Sequence, residues 1–558
     1  MRSGEEVIGV ARRVPVVLLA LVSVSGLVSC ARPSVAPTTT APPAAPGAEV
    51  LSALCSGVVA ADLGEGTLCV DSGFRMDTDR FSFVNWGRSA SADDNVTVQT
   101  LVDLFGRAQV CMPGPEGECV LRPRTVQALH DWNVALNGGR CEGLAVLSQR
   151  IFLRYDTPQD FGGSFATAAD LTRSAPDLAP AVVHWWATQF VPEVARPAAA
   201  SRLRTPAQLV ADLIAGLANG EGQTVGMYHG GGGHSVTPFA VTRRGDTWVV
   251  HVYDNNDPRA PREILVRPAD GTWSYEATDG TWSGTTGSLE LTPMSARSGP
   301  FTCPFCNDDG GAPTEIMVTH ADGAVPSTVT VDAGDDGLIE QTAQGYTGTI
   351  DGAAAEPVKG SANGAVRIHV PASVTRMQIE LRGTEGVPHP ASTVTVRRSG
   401  HPSIQVQGVL PSAVTGAARA TSPVVTTAAD RTTVAADGAS VTVVIAGDSN
   451  LGTVTLADGD SLEVSRLRTT PGASSVVDVT LRRDGAESRV TLELAPQETT
   501  DTELIVKNGA LTASTTAATA RKVSTARRVR TSPVAPVPVT TATTRPGTVP
   551  TVDVTLPG

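Results

Sequence analysis

Apolar residues in the stretch after residue 96 recur at helical spacing. Between Thr97 and Arg107 they fall at Val98, Leu101, Leu104 and Phe105, one face of a short helix. Arg122-Pro123 open a second helix whose face carries Val126, Leu129, Trp132 and Leu136, and Asn137-Gly138-Gly139 end it, glycine after the last apolar position being a helix stop. Cys141 follows, and Leu144, Leu147 and Ile151 mark a third helix that starts at or beside it. Two more helices are predicted over Pro180–Val194 and Pro206–Ala218. The second has Thr205 as cap, Pro206 in first position, and Leu209, Val210, Leu213, Ile214 and Leu217 turned inward. The period then changes from helical to alternating. Gly230–Gly233 precede His234, S-V-T-P-F-A-V leads to Arg243-Arg244-Gly245-Asp246, and T-W-V-V-H-V-Y returns. This predicts an antiparallel hairpin with Trp248, Val250 and Val252 on one face and Asp254 next in that phase.

From 313 to 511 the texture is of short alternating runs, such as V-R-I-H-V, M-Q-I-E-L and V-T-V-V-I, separated by Gly/Asp/Pro turns. One or two β-sandwiches are expected there, serving as a spacer or binding region without a catalytic constellation. Asp332, Asp335 and Asp336 beside Gly337 lack the spacing of a calcium loop and read as solvated turn acids. Residues 512–558 are rich in Thr, Pro and Ala and carry Arg521, Lys522, Arg527, Arg528, Arg530 and Arg545 against Asp553. A disordered basic tail is expected.

A length of 558 residues suggests several domains. The chain is 41% hydrophobic and 18% charged, too apolar for disorder throughout and too weakly charged for a coiled coil. The net charge of −13, with acids spread evenly, argues against a nucleic-acid partner, which would need a basic stripe.

Arg12 and Arg13 precede a mostly apolar run, Val14 to Val28, too short for a ~30 Å hydrocarbon core and right for an export signal. Its end, Leu27-Val28-Ser29-Cys30, resembles the lipobox of bacterial lipoproteins. That resemblance implies a signal peptide over 1–30, cleavage before Cys30, a lipid on its sulfur, and anchoring to the outer face of the cytoplasmic membrane. Residues 31–48 form a Pro/Ala/Thr linker without core-forming side chains.

Setting Cys30 aside from the eight cysteines leaves seven. Six fall into close pairs, Cys55 with Cys69, Cys111 with Cys119 and Cys303 with Cys306, and an exported protein favours disulfides for them. The C-P-F-C of Cys303–Cys306 resembles a glutaredoxin-type motif. The N-D-D-G-G-A-P after it is turn rather than helix, and no further ligand pair lies nearby for zinc. A structural clip is expected, with no metal or cofactor.

Cys141 is the cysteine left over. At a helix N-terminus the backbone dipole favours a thiolate. A cysteine opening a helix, then a strand histidine, then an acid ending the next strand, carried by GGRCEGLAVLSQ and by GGGGHSVTPFAV…WVVHVYDNNDP, resembles the papain-like cysteine peptidases. The closest type is the bacterial double-glycine, bacteriocin-processing one, whose third member is Asp. The resemblance implies an α+β papain-like domain over 49–312 (helical part plus antiparallel sheet), followed by the β-sandwich-type region. It implies Cys141 as nucleophile, His234 as general base and Asp254 as orienting acid, with Asn255 as alternative third member. His229 and His251 lack the hairpin relation to Asp254. The family places Gln six residues before the nucleophile, and Ala135 stands there, so Asn137 or Asn133 would have to supply the oxyanion donor. Glu142 would oppose a thiolate if it pointed inward. The function implied is a surface lipoprotein hydrolysing a peptide or isopeptide bond in a peptide or envelope protein. The alternatives are a thiol acyltransferase and a catalytically inactive binding or adhesion protein.

Overall fold

The computed structural model describes Cys55, Gly57 and residues 63–517, apart from 115–116, 307–311, 321–327, 343–344, 361–363, 384–390, 410–423, 437–439, 448–449, 469–474, 495–499 and 508–509. The expected signal segment, Cys30 and the Pro/Ala/Thr linker lie outside the described residues, as does everything beyond Ala517. Among the described residues no helix is long and apolar enough to cross a membrane.

The helical part begins with α1, Val98–Phe105, whose cap Thr97 accepts from the Thr100 N–H at 3.1 Å. Helix α2, Pro123–Leu136, has proline in its first turn, where a missing N–H costs nothing. Helix α3, Cys141–Phe152, follows the Asn137–Arg140 turn. The helix expected over Pro180–Val194 is instead α4, Leu178–Ala187, a single 3-10 turn over Thr188–Phe190, and α5, Pro192–Arg202. Pro192 is the reason. It bars the preceding residue from helical geometry, and Val191 is extended at φ −80° and ψ 142°. Helix α6, Pro206–Ala218, carries the Thr205 cap.

Eight strands make one antiparallel sheet: β1 Thr67–Asp71, β2 Gln223–His229, β3 Gly232–Arg244, β4 Thr247–Tyr253, β5 Arg262–Arg267, β6 Thr272–Ala277, β7 Gly280–Gly284 and β8 Leu289–Pro293. Their order is β8-β2-β3-β4-β5-β6-β7, with β1 on the far half of β3. The hairpin turns at Gly245-Asp246, and Thr237 pairs with Tyr253. The start of β3 and the residues after β4 therefore share one end of the sheet.

Helix α3 lies against that sheet, with Ser148 Oγ 2.9 Å from Thr237 Oγ1 and Gln149 Nε2 donating to the Pro238 carbonyl at 3.3 Å. Every residue from Cys141 to Ile151 is buried, as expected of a helix covered on all sides. Its other flank meets α4 at Gly143, where a Cβ would overlap the Val182 carbonyl. Glycine is required there by close approach.

The β-rich region holds two nine-stranded sheets. One runs in the order Ala354–Pro357, Val366–Val370, Thr314–His320, Ser392–Arg397, Ser403–Val409, Val441–Ala446, Asn450–Leu456, Thr500–Lys507, Ala510–Ala517; the other includes Leu338–Thr342, Met377–Arg382 and Ser461–Arg468. Both contribute to a single core of Val, Ile and Leu, among them Ile316, Val331, Ile379, Val443 and Leu462. Residues 512–517, expected within the tail, are in a strand instead. The Thr-rich segment Ala510–Ala517 pairs antiparallel with Thr500–Lys507, because β-branched threonines suit a strand and an adjacent edge is open to them. Helix α2 seats on the first of these sheets. Gln127 Nε2 donates to the Val444 carbonyl at 2.9 Å, and Asp131 accepts from Arg397 at 2.9 Å and Gln405 at 2.8 Å.

The three expected cysteine pairs are bonded: Cys55–Cys69, Cys111–Cys119 and Cys303–Cys306. Cys141 is free and fully buried.

Candidate active site

Cys141 is the first residue of α3, and the first intrahelical bond runs from the Leu144 N–H to the Arg140 carbonyl at 3.0 Å. The N–H groups of Cys141, Glu142 and Gly143 thus have no acceptor within the helix, and their partial positive charge gathers beside the sulfur. Arg140 holds this corner in place. Its guanidinium is buried over the Trp86 ring at 5.2 Å and donates to the carbonyls of Asp94 at 3.0 Å, Trp86 at 3.0 Å and Gly87. Burial pulls that guanidinium down to about 10. Asn85, next to Trp86, accepts from the Arg140 N–H at 2.8 Å and donates through Nδ2 to Asn256 Oδ1 at 2.9 Å, while its own N–H reaches the Asn255 carbonyl at 2.7 Å. One asparagine therefore ties the helix that starts at Cys141 to the loop that follows β4.

The sulfur accepts from the Ser235 N–H at 3.3 Å. His234, one residue earlier on β3, lines the same cleft as Cys141. Its Nε2 donates to Asp254 Oδ1 at 2.8 Å, so Nδ1 is the ring nitrogen not engaged by the carboxylate. Asp254 also accepts from the Asn256 N–H at 2.8 Å and from the Tyr275 hydroxyl on β6. Burial works against the charged imidazolium, but Asp254 and Cys141 outweigh it and push His234 up to about 10. For Asp254 the burial penalty is likewise overcome, by His234 first and then Tyr275, and the carboxyl falls to about 2. The geometry thus favours an ionised Asp254 beside a protonated imidazole.

The structure brings Cys141, His234 and Asp254 together and gives the remaining candidates other partners. Asn255 donates to the carbonyls of Cys141 at 3.1 Å and Ser235 at 2.9 Å, so it braces the backbone while Asp254 meets the imidazole. Asn133 is bonded through its amide to the backbone of Val96 at 2.8 and 2.9 Å. The lining of the cleft passes through Gly138 and Asn85, and Asn137 is absent from it. His229 stacks on Trp282 at 5.9 Å and meets the Ser283 carbonyl, whereas His251 is held by Thr242 at 2.9 Å. Glu142 is buried, but in the company of cations: Arg297 contacts Oε1 and Lys359 Nζ lies 3.1 Å from it. Burial would raise its carboxyl, yet Lys359 and Arg297 hold it below the usual range.

The three side chains open onto a cleft of about 480 Å³ lined by Trp86, Trp282, Asn256, several glycines and Gly360 of the β-rich region. Trp282 stands edge-on to the His234 ring at 6.3 Å. Among the described residues no cluster of His, Cys, Asp and Glu has the makings of a metal site. Sequence reasoning missed Asn85, Tyr275 and Gly360. Only Tyr275 carried a signal, since it alternates with Trp273 on the inward face of T-W-S-Y-E-A.

No family model, curated protein or solved structure matches this chain.

Proposed function

We infer that this chain is an envelope lipoprotein whose α+β region is a papain-like thiol hydrolase acting on a peptide or isopeptide bond. One observation carries the reading: a free cysteine at a helix start shares the lining of one cleft with an imidazole that is hydrogen-bonded to a buried carboxylate. The Cys141 sulfur attacks the acyl carbon and forms an S–C bond as the carbonyl electrons move to oxygen. The Cys141 backbone N–H, which has no acceptor within its helix, and Asn85 Nδ2, in the cleft lining, serve as donors to that oxygen. The C–N bond then breaks as the His234 imidazolium gives its proton to the departing amine. Water, deprotonated by His234, cleaves the thioester and returns the thiol. Asp254 keeps the imidazole's Nε2–H engaged throughout, and Tyr275 and the Asn256 N–H keep Asp254 in place.

The test is alkylation of the full chain carrying Cys30→Ser, in which Cys141 is the free thiol. Iodoacetamide should label Cys141 readily at pH about 6, and His234→Ala should slow labelling ~100-fold. Equal rates in parent and variant would sink the hydrolase reading and favour the silent binding protein. An acyl-enzyme discharged faster by added amine than by water would reassign the chain as an acyltransferase.

A further inference from the structure

The geometry points to Lys359, a residue of the β-rich region, as a positioning residue of the thiol site: it neutralises Glu142 immediately behind Cys141, while Gly360 walls the cleft in front. This inference rests on the thiol-hydrolase reading and extends it, giving the β-rich region a part in the chemistry.

The segment that carries Lys359 leaves the sheet after Ala354–Pro357 and enters the α+β region. The Lys359 N–H donates to Gln189 Oε1 at 2.8 Å, and its carbonyl accepts from Trp186 Nε1 at 3.0 Å. The Gly360 N–H donates to the Gly233 carbonyl at 2.9 Å, one residue before His234. Gly360 has a φ of +88°, and a Cβ there would overlap the Gly139 carbonyl, two residues before Cys141. Two adjacent residues of the β-rich region therefore touch both catalytic segments. Gln341 adds a third contact, against Gly231 of the glycine turn.

Charge explains why a lysine is needed. Glu142 and Glu290 are both almost wholly buried, and Lys359 Nζ spans their Oε1 atoms at 3.1 and 2.6 Å. Arg297 contacts only the first, Arg202 only the second, the latter at 2.6 Å. Glu290 also accepts from Tyr228 at 2.7 Å, and Arg202 and Arg367 share Glu356. Four cations thus face three carboxylates behind the sulfur, with Arg140 beside it and His234 and Asp254 in front. Without Lys359, Glu142 keeps only Arg297 and Glu290 only Arg202, and one positive charge is lost from behind the residue next in sequence to the sulfur. That loss disfavours the thiolate.

The experiment measures iodoacetamide labelling at pH about 6 on the full chain with Cys30→Ser, alongside circular dichroism of each variant. Lys359→Met should label ~10-fold slower with an unchanged spectrum, as expected when one buried positive charge near the sulfur is lost. Lys359→Arg should restore most of the rate. Lys359→Met combined with Glu142→Gln should recover as well, because one negative charge is then removed together with the positive one, whereas a packing role makes the double variant worse. Glu142→Gln alone should label faster than the parent, and slower labelling there overturns the inference whether or not Lys359→Met folds. A parent rate retained in well-folded Lys359→Met also overturns it. Failure of the hydrolase reading is told apart by His234→Ala, which would then leave the rate unchanged.

Discussion

The α+β region and the β-rich region bury different things. Between its two large sheets the β-rich region buries a continuous core of Val, Ile and Leu, while its buried Thr395, Arg397 and Gln405 meet Asp131 of α2. The α+β region packs Arg140, Cys141, Glu142, His234, Asp254 and Asn255 out of water within a few residues of one another. Burying apolar surface is non-directional, so such a core tolerates repacking. Burying polar groups is tolerable only when each meets its partner, so the second arrangement admits few alternatives. Where a fold accepts that constraint around a cleft, chemistry is the usual reason. The two regions are linked by the same kind of costly contact, Asp131 with Arg397 and Lys359 with Glu142 and Glu290.

Substitutions in each region should therefore behave differently. The largest effect is expected at Gly143, where a methyl group has nowhere to go but into the Val182 backbone. Gly143→Ala should cost about 3 kcal/mol in denaturant unfolding and slow Cys141 labelling as α3 is pushed from α4. Next comes Asp254→Ala, which strips the imidazole of its buried partner. Labelling at pH about 6 should fall ~100-fold with circular dichroism unchanged, and a drop of less than threefold would mean that Asp254 does not hold the imidazole. Val443→Ala, in the β-rich core, should cost about 2 kcal/mol and leave the labelling rate of the folded protein as it was. A reactive site that weakens in step with Val443 would erase the distinction between the two cores.

What the sequence disclosed divides along the same line. The start of α3 was legible because Gly138-Gly139 breaks the helix before it, and the hairpin because Arg243–Asp246 separates two alternating runs. Those signals are local, and they put Cys141, His234 and Asp254 at recoverable places. The three disulfides were legible because each pair is close in the chain. Tyr275 and Lys359 were not, since their roles depend on the strand order that brings β6 beside Asp254 and on a segment crossing from one region into the other. Asn85 lies in a stretch without a hydrophobic period, and backbone contacts alone fix its position. Pro192 was a visible breaker, yet it is equally at home in a helix's first turn, which is how one expected helix became two.

The smallest expected effect, about 1 kcal/mol in any one pH unit, is the pH dependence of stability contributed by the His234–Asp254 pair. His234 is raised to about 10 in the folded chain, against ~6.5 for an unfolded histidine. Between those values the folded state holds a proton that the unfolded state has lost, so stability falls as pH rises. The contribution is complete below pH ~6.5 and gone above about 10, with a slope near 1 kcal/mol per pH unit between. Asp254 works in the opposite sense. Its carboxyl is lowered to about 2, so its share is present above pH ~3.9 and lost as pH falls through about 2. The thiolate proposed for Cys141 would lack a proton that an unfolded thiol keeps up to pH ~8.5, so the surplus on His234 shows only above that value. Unfolding followed from pH about 8.5 to 10 should show His234→Ala with a flatter profile than the parent, whereas Val443→Ala should lie parallel to the parent and below it. Parallel profiles for all three would mean that the imidazole carries no extra proton in the folded chain, and the charged pair on which the thiol chemistry depends would go with it.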